Sequence, residues 1–344
     1  MKKTIYSELD NLTEKEFFKR ELGVNLVFNS TPNKLRNVET LIIASNNPSY
    51  WREFLITRRK NSVIFFLVGN ETYEPKIFHA LNGLFSLRHV FVYNPPQRIK
   101  FLTGVKTFIG NLVDHSNANS PFSGNPIREL LTSLHLIKKF DGISMDYKFS
   151  SLPQGYSNNF AGKFAEYFKL NPNQSLIEKK EMYQIKNISE RNRLIGFSGQ
   201  PTNLRRFKMI QSSLKYMDEP PEMTEGFRGA KVSGNFNYLN QLLNCKLILV
   251  PPGFFNNSNH RYTESLICGA LPVILAKNSL DPSENSNWTN CIKFLTPFSS
   301  KLLLRYLSKL SDAKLNEYFQ FAQNHNFEEI LHFRNVFTDL ITSS

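Results

Sequence analysis

Three apolar runs in the first half of the chain predict strands that are buried on both faces. They lie at 38–46, 62–70 and 89–96, and each ends in polar residues or proline. Their apolar residues are nearly continuous rather than alternating, which is typical of parallel sheets covered by helices. Amphipathic segments at 48–60 and 74–87 separate the runs. The order of strand, helix and strand therefore predicts a doubly wound α/β unit.

A second series of strands and helices begins at residue 191. Helices are predicted at 202–217 and within 235–244, and strands at 191–200, 245–250, 271–275 and 290–298. The tail, 300–344, reads as helices. The repeated order predicts two α/β units in tandem, with a ligand cleft between them.

The stretch between the two series predicts helices and turns. A helix is expected at 125–140, turns at 141–160 and a further helix at 162–175. The charged segment 176–192 suits a linker or an exposed helix. The boundary between the two units is therefore expected near 175–190.

These boundaries predict two domains and a final helix. The N-terminal Rossmann-like domain covers 1–180 and the C-terminal Rossmann-like domain covers 190–325. A helix at 326–344 is expected to pack back on the N-terminal domain. A chain of 344 residues exceeds what one ordinary core accommodates, which favours the same division.

Polar residues follow the predicted strand at 245–250, where ligands bind in open α/β sheets. Pro252 and Gly253 end this strand and open a loop. The loop ends in Ser258, Asn259 and His260, so a helix is expected to begin there. The amide groups at a helix start suit a phosphate.

Arg261 and Glu264 lie in the first turns of that helix, with Gly269 as its expected stop. The guanidinium of Arg261 adds a positive charge to the phosphate site. Glu264 is three residues further on the same face, and its carboxylate can accept hydrogen bonds from the hydroxyls of a ribose. The alternative is a surface ion pair worth a few tenths of a kcal/mol.

Composition and charge restrict the function classes. No apolar run is long enough to span a bilayer, and the first residues lack the pattern of a signal peptide, so we expect a cytoplasmic chain. The three cysteines lack the spacing of a disulfide framework or a zinc site and are expected to be buried. The net charge of +13 comes from scattered residues, so we expect no nucleic-acid partner. Contact with an anionic membrane surface is compatible with this charge.

The segment 238–275 resembles the exostosin-like family of glycosyltransferases. The resemblance rests on a Pro-Gly turn after a strand, on serine, arginine and glutamate around a helix start, and on a Gly-x-x-Pro-Val-Ile stretch. Residues 191–206 also resemble the strand, glycine turn and basic helix of that family. The clear resemblance covers 191–275, and Asn257 and Ser265 depart from the residues that are common in the family.

The resemblance implies a GT-B architecture, in which two Rossmann-like domains face a central cleft. It implies an inverting glycosyltransferase, independent of metal, that uses a nucleoside-diphosphate sugar, with UDP as the expected nucleotide. No tightly bound cofactor is expected. The acceptor would be a glycan, glycolipid or glycoprotein, and surface glycan synthesis is the expected context.

The implied donor site combines the helix start with the strand at 191–200. Arg261, with Arg205 or Arg206, would stabilise the charge of the leaving diphosphate. Gly199 would let backbone amide groups approach the phosphates, or it forms an ordinary turn. Pro252, Gly253 and 258–260 complete the predicted donor site.

An inverting transfer also needs a base to accept the proton of the acceptor hydroxyl. Asp114 and His115 lie in a polar loop of the N-terminal half, and one of them is the predicted base. The alternative is that both are loop residues without a catalytic role.

Two other functions remain open on the sequence. A sugar-nucleotide epimerase would keep the fold and change the reaction. A sugar-nucleotide or polyanion-binding protein would keep the site without turnover.

Overall fold

A parallel sheet of six strands organises the first half of the protein. The computed structural model describes residues 3–68, 80–81, 83–93, 149–153, 155–178, 183–199, 210–211, 213–218, 222–223, 236–250, 260–274 and 300–342. The strands of this sheet are β1 (Thr4–Tyr6), β2 (Asn25–Val27), β3 (Leu41–Ser45), β4 (Val63–Leu67), β5 (Leu87–Val92) and β6 (Phe149–Ser151). All its pairings are parallel, in the order β2-β1-β3-β4-β5-β6. The predicted parallel α/β organisation is thus confirmed.

The direction of winding reverses between β1 and β3. After β1 the chain adds β2 on one side, and it then crosses to β3 and continues to β4 and β5 on the other. In such sheets ligands bind beyond the carboxyl ends of the strands where the order reverses.

Helices cover both faces of this sheet. They are α1 (Lys15–Glu21), α2 (Pro48–Thr57) and α3 (Asn158–Tyr167). Alternate strand residues separate into two apolar clusters: Ile42 and Phe66 belong to the larger one, and Ile43 and Phe65 pack with Trp51 of α2 in the other. A strand buried on both faces needs apolar residues at every position, which explains the uninterrupted runs.

A second parallel sheet lies in the C-terminal half. Its strands are β7 (Arg193–Gly196), β10 (Cys245–Val250) and β11 (Leu271–Ile274), in the order β11-β10-β7. Two short strands, β8 (Ser198–Gly199) and β9 (Glu222–Met223), form a separate parallel pair, and β8 follows β7 in the chain. Helices α4 (Phe236–Asn244) and α5 (His260–Ile267) flank β10. Strands β7, β10 and β11 fall where the apolar runs predict them, whereas β9 was not predicted.

Two helices end the chain: α6 (Ser300–Leu307) and α7 (Asp312–Thr342). Gln323 of α7 donates to the carbonyl oxygen of Leu266 in α5, at 2.7 Å. Further along α7, Phe333 lies 5.0 Å from Phe91 of β5, measured between ring centroids. This one helix of 31 residues therefore contacts elements of both halves.

Two expectations for the middle of the chain are wrong. The helix expected from residue 162 begins at Asn158, because Ser157 caps it by accepting a bond from the Phe160 amide. The stretch 176–192 is also not an exposed linker. Its described residues include Leu176, Ile177 and Ile188, which are buried in the larger apolar cluster.

Candidate functional site

Arg261 and Gly199 meet at the carboxyl end of the second sheet. A Cβ atom at position 199 would lie 2.0 Å from Nη2 of Arg261, so the guanidinium occupies the space of a side chain. Gly199 has φ +142, a backbone conformation that favours glycine. The Arg261 guanidinium carbon also lies 5.6 Å from the ring centroid of Phe197. Two residues 62 positions apart, each predicted for the donor site, are thus in contact.

Glu264 is buried and holds two other elements. It is 2% exposed. Its Oε1 accepts from the Ser157 amide at 2.9 Å and from the Ser157 hydroxyl at 2.7 Å. Its Oε2 accepts from the hydroxyl of Tyr238 in α4. The alternative of a surface ion pair is wrong, because this carboxylate lies inside the protein.

The contact with Glu264 also affects the protonation of Tyr238. Burial, followed by the negative charge of Glu264, raises the pKa of the Tyr238 phenol well above its ordinary value. The phenol therefore stays protonated and donates to the carboxylate. A charge-assisted bond of this kind is stronger than one between neutral groups.

The segment 155–158 joins the two halves of the protein. Ser157 binds Glu264 of α5, and the next residue, Asn158, donates from its amide to the carbonyl of Thr13 at 3.2 Å. Thr13 belongs to the loop that follows β1, at the carboxyl edge of the first sheet. His260 Nδ1 contacts the carbonyl oxygen of Gly155 at 3.3 Å. The carboxyl edge of the first sheet therefore meets the start of α5.

Arg191 serves the structure rather than an anionic ligand. Its Nη1 donates to the carbonyls of Leu242 and Cys245, at 2.8 and 2.9 Å. Its Nη2 donates to the carbonyls of Lys186 and Cys268. The residue is 2% exposed, and burial lowers its pKa to about 10. It stabilises the carboxyl ends of α4 and α5, where helices leave carbonyls unpaired.

Several predicted site residues lie outside the described part of the chain. These are Asp114, His115, Arg205, Arg206, Pro252, Gly253, Ser258 and Asn259. Of the predicted set, the structure describes Gly199, His260, Arg261 and Glu264. It brings Arg261 to Gly199, and it brings His260 and Glu264 to the segment 155–158.

Sequence reasoning missed Ser157 and gave Tyr238 no role at the site. Ser157 is preceded by turn residues and follows no apolar run. The pattern of a serine three residues before Phe160 signals a helix cap, but its bond to Glu264 spans 107 residues. No local pattern reports such a contact.

Cys245 and Cys268 are buried, as expected, and form no disulfide. Cys291 lies outside the described residues. Gly269 ends α5 with φ +78. In the described ranges, no three His, Cys, Asp or Glu side chains form a group that could hold a metal. Each helix in those ranges is too short or too polar to cross a bilayer.

Similarity to known proteins is low. No family model and no curated protein matches the chain. Among solved structures, a crystal structure of an alpha1,3-fucosyltransferase matches with 13% identity and a TM-score of 0.42. The match covers 99% of this chain and 90% of that one. A similarity at this level does not assign an activity or a substrate.

Proposed function

We propose that the protein is an inverting, metal-independent glycosyltransferase. It moves a sugar from a nucleoside-diphosphate sugar to a hydroxyl acceptor. The observation that carries the proposal is the convergence of the two parallel sheets on the segment 155–158, with Arg261 at the start of the donor helix. The carboxyl edges of two such sheets are where a donor and an acceptor would bind. A GT-B arrangement is proposed on the same ground.

Arg261 is proposed to stabilise the leaving diphosphate. Its guanidinium lies against Gly199, beside the carboxyl end of β7 and within the first turn of α5. As the bond between the anomeric carbon and the phosphate oxygen breaks, negative charge develops on the diphosphate. A fixed cation at that point favours the transition state more than the bound donor.

Glu264 is proposed to position the helix start and to meet the ribose. Ser157 occupies two acceptor positions of Oε1, and Tyr238 occupies one of Oε2. A carboxylate oxygen accepts two bonds, so Oε2 has one position left for a ribose hydroxyl. Because Glu264 forms hydrogen bonds to both halves of the protein, its structural role is larger than its proposed contact with the ribose.

The remaining donor-site assignments rest on the resemblance of 191–275 to exostosin-like glycosyltransferases. They place Arg205, Arg206, Pro252, Gly253 and residues 258–260 around the nucleotide. UDP is the proposed nucleotide, and a surface glycan, glycolipid or glycoprotein is the proposed acceptor. A cytoplasmic location is proposed with them.

Ligand-induced stabilisation tests the proposal. The chain is heated with UDP, GDP, CDP and their sugar conjugates, and a true ligand at a hundred times its Kd stabilises the folded protein by about 2.7 kcal/mol.

Arg261→Met should lower the transfer rate by about 10²- to 10³-fold, because a charge stabiliser is lost. Arg305→Met is the control, because Arg305 is an exposed arginine on α6. Equal rates in Arg261→Met and the wild type would contradict the role of Arg261.

The same preparation separates the two other functions. An epimerase would convert one sugar nucleotide to another without an acceptor, which NMR spectra of the donor detect. A binding protein would be stabilised by the donor but would release no nucleoside diphosphate with any acceptor. The contact of Arg261 with Gly199 at a strand end is compatible with binding in each case, so product analysis decides between them.

We place the proposed contact with an anionic membrane at a basic groove beside α2. Its lining includes Arg36, Arg52, Arg58, Arg59 and Lys60, against two carboxylates, Glu39 and Glu53. Tyr50, which also lines the groove, and Ile56 are exposed apolar residues of α2, with 43% and 54% of their surface accessible. Sedimentation with phosphatidylserine vesicles, compared with neutral vesicles, tests this contact, and equal binding to both would contradict it.

A further inference from the structure

Two carboxylates of the loop after β1, Glu8 and Glu14, have different hydrogen-bond partners. Glu8 uses both oxygens: Ser45 donates to Oε1 at 2.5 Å, and Trp51 donates to Oε2 at 2.8 Å. Glu14 uses one, since the Tyr93 hydroxyl donates to its Oε1 at 2.6 Å. Oε2 of Glu14 is buried and has no hydrogen-bond partner among the described residues.

Glu14 differs in this respect from the other buried carboxylates at the junction. Glu21 accepts from Tyr156 and Leu176 at Oε1 and from Ser175 at Oε2. Glu264 likewise uses both oxygens. A buried polar atom without a partner costs roughly 1–3 kcal/mol of stability, and native proteins retain few of them. Glu14 is 3% exposed and makes no side-chain bond to cap α1, so no contact within the described ranges gives its Oε2 a structural role.

The position of Glu14 places that oxygen at the junction of the two halves. The preceding residue, Thr13, accepts from the Asn158 amide, and Glu16 donates from its amide to Asn158 Oδ1 at 2.8 Å. Ser157, next to Asn158, binds Glu264 of the donor helix. Tyr93, which fixes Oε1, directly follows β5. Glu14 thus lies where the carboxyl edge of the first sheet meets the start of α5.

We propose that Oε2 of Glu14 is the catalytic base that takes the proton of the acceptor hydroxyl, an inference that rests on the proposed function. The acceptor oxygen forms a bond to the anomeric carbon, and the bond from that carbon to the diphosphate oxygen breaks. The diphosphate leaves with the electron pair, and the hydroxyl proton moves to Glu14. An oxygen without a donor is the one able to accept that proton, while Tyr93 holds the other oxygen.

Glu14 replaces Asp114 and His115 as the proposed catalytic base. Asp114 and His115 lie outside the described residues, whereas Glu14 is fixed by contacts at the junction. Because Glu14 is almost fully enclosed, the acceptor site must open before a hydroxyl reaches Oε2. No sequence pattern marks Glu14 as a base, because a glutamate in the stretch "NLTEKEFF" is typical of an ordinary helix start.

The test compares Glu14→Gln with Glu8→Gln in the full chain. In Glu14→Gln the amide side chain keeps the shape of the carboxylate but accepts no proton, so kcat for transfer should fall by about 10²- to 10⁴-fold. Donor affinity, measured by calorimetry with the sugar nucleotide found by thermal shift, should stay within about twofold, because the base acts only on the acceptor. In Glu8→Gln, which removes a carboxylate from the same loop, kcat should change far less than in Glu14→Gln.

Each outcome decides one of the two proposals. Unchanged kcat in Glu14→Gln overturns Glu14 as the base and leaves the glycosyltransferase proposal in place. Absence of binding to any sugar nucleotide in the wild type overturns the proposed function itself. Should Glu14→Gln not fold, Glu14→Asp draws the carboxylate back by one methylene and must still lower kcat without weakening donor binding.

Discussion

The guanidinium of Arg261 occupies the place that a side chain at position 199 would take. A Cβ there would lie 2.0 Å from Nη2 and 2.6 Å from the guanidinium carbon. Gly199 is therefore required by the position of Arg261. Because residue 199 has no side chain, the guanidinium can lie against the strand end. This relationship explains the glycine better than a turn alone does.

Gly199→Ala should displace Arg261. The new methyl group collides with the guanidinium, and the φ of +142 is strained for alanine, so stability should fall by roughly 1–3 kcal/mol. Affinity for the nucleoside diphosphate should fall with it. Calorimetry and thermal unfolding measure both effects. The control is Gly162→Ala in α3, where a Cβ meets nothing within 4 Å and should stabilise the helix.

Tyr238→Phe should destabilise the junction. The substitution removes the donor to Oε2 of Glu264, which is buried, so the free energy of unfolding should fall by roughly 1–3 kcal/mol. Urea unfolding followed by circular dichroism gives the value. Tyr167→Phe is the matched control, because Tyr167 is 56% exposed. Equal stability of the two variants would show that the bond contributes nothing.

Arg191→Met should be the most destabilising of these substitutions. It keeps the apolar stem but removes the guanidinium that donates to the buried carbonyls of Leu242, Cys245 and Cys268. With roughly 1–3 kcal/mol for each buried bond lost, a loss of at least about 3 kcal/mol is expected. Arg36→Met, on the exposed surface, is the control and should change the unfolding midpoint little.

His89 should make stability depend on pH. Burial, followed by the positive charge of Arg88, lowers its pKa from 6.5 to about 4. The unfolded chain binds this proton more readily, so the contribution is complete above pH 6.5 and is lost as pH falls towards 4. Denaturant unfolding from pH 4 to 8 should show a shallower dependence in His89→Gln. Identical curves for both proteins would contradict this prediction.

The strands buried on both faces could be predicted from the sequence. The uninterrupted run at 63–67 identifies β4 because both faces of that strand need apolar side chains. Strands β1 and β2 escaped detection, since three residues show no period and their burial depends on neighbours far along the chain. The start of α3 was missed for a related reason: Ser157 reads as part of a turn until its contacts are known.

The features of the site also divide into those that the sequence predicts and those that only the structure shows. The interest of Arg261 and Gly199 could be predicted from residue types at the ends of predicted strands, while their role in binding a phosphate stays a prediction. Their contact was not foreseen, nor was the attachment of Glu264 to Ser157 and Tyr238. That Oε2 of Glu14 has no partner among the residues that the structure describes is likewise a property of its surroundings.

The sequence by itself determined the parallel α/β organisation, the positions of the longer strands and the residue types around the start of α5. It did so because burial and helix capping impose patterns over a few neighbouring residues. The tertiary structure decided which charges are paired. Glu264 and Arg191 have their hydrogen bonds completed by residues distant in the chain, while one oxygen of Glu14 has no partner in the described part of the chain. Hydrogen bonding inside a protein depends on what packing brings within about 3 Å, and no local pattern records that.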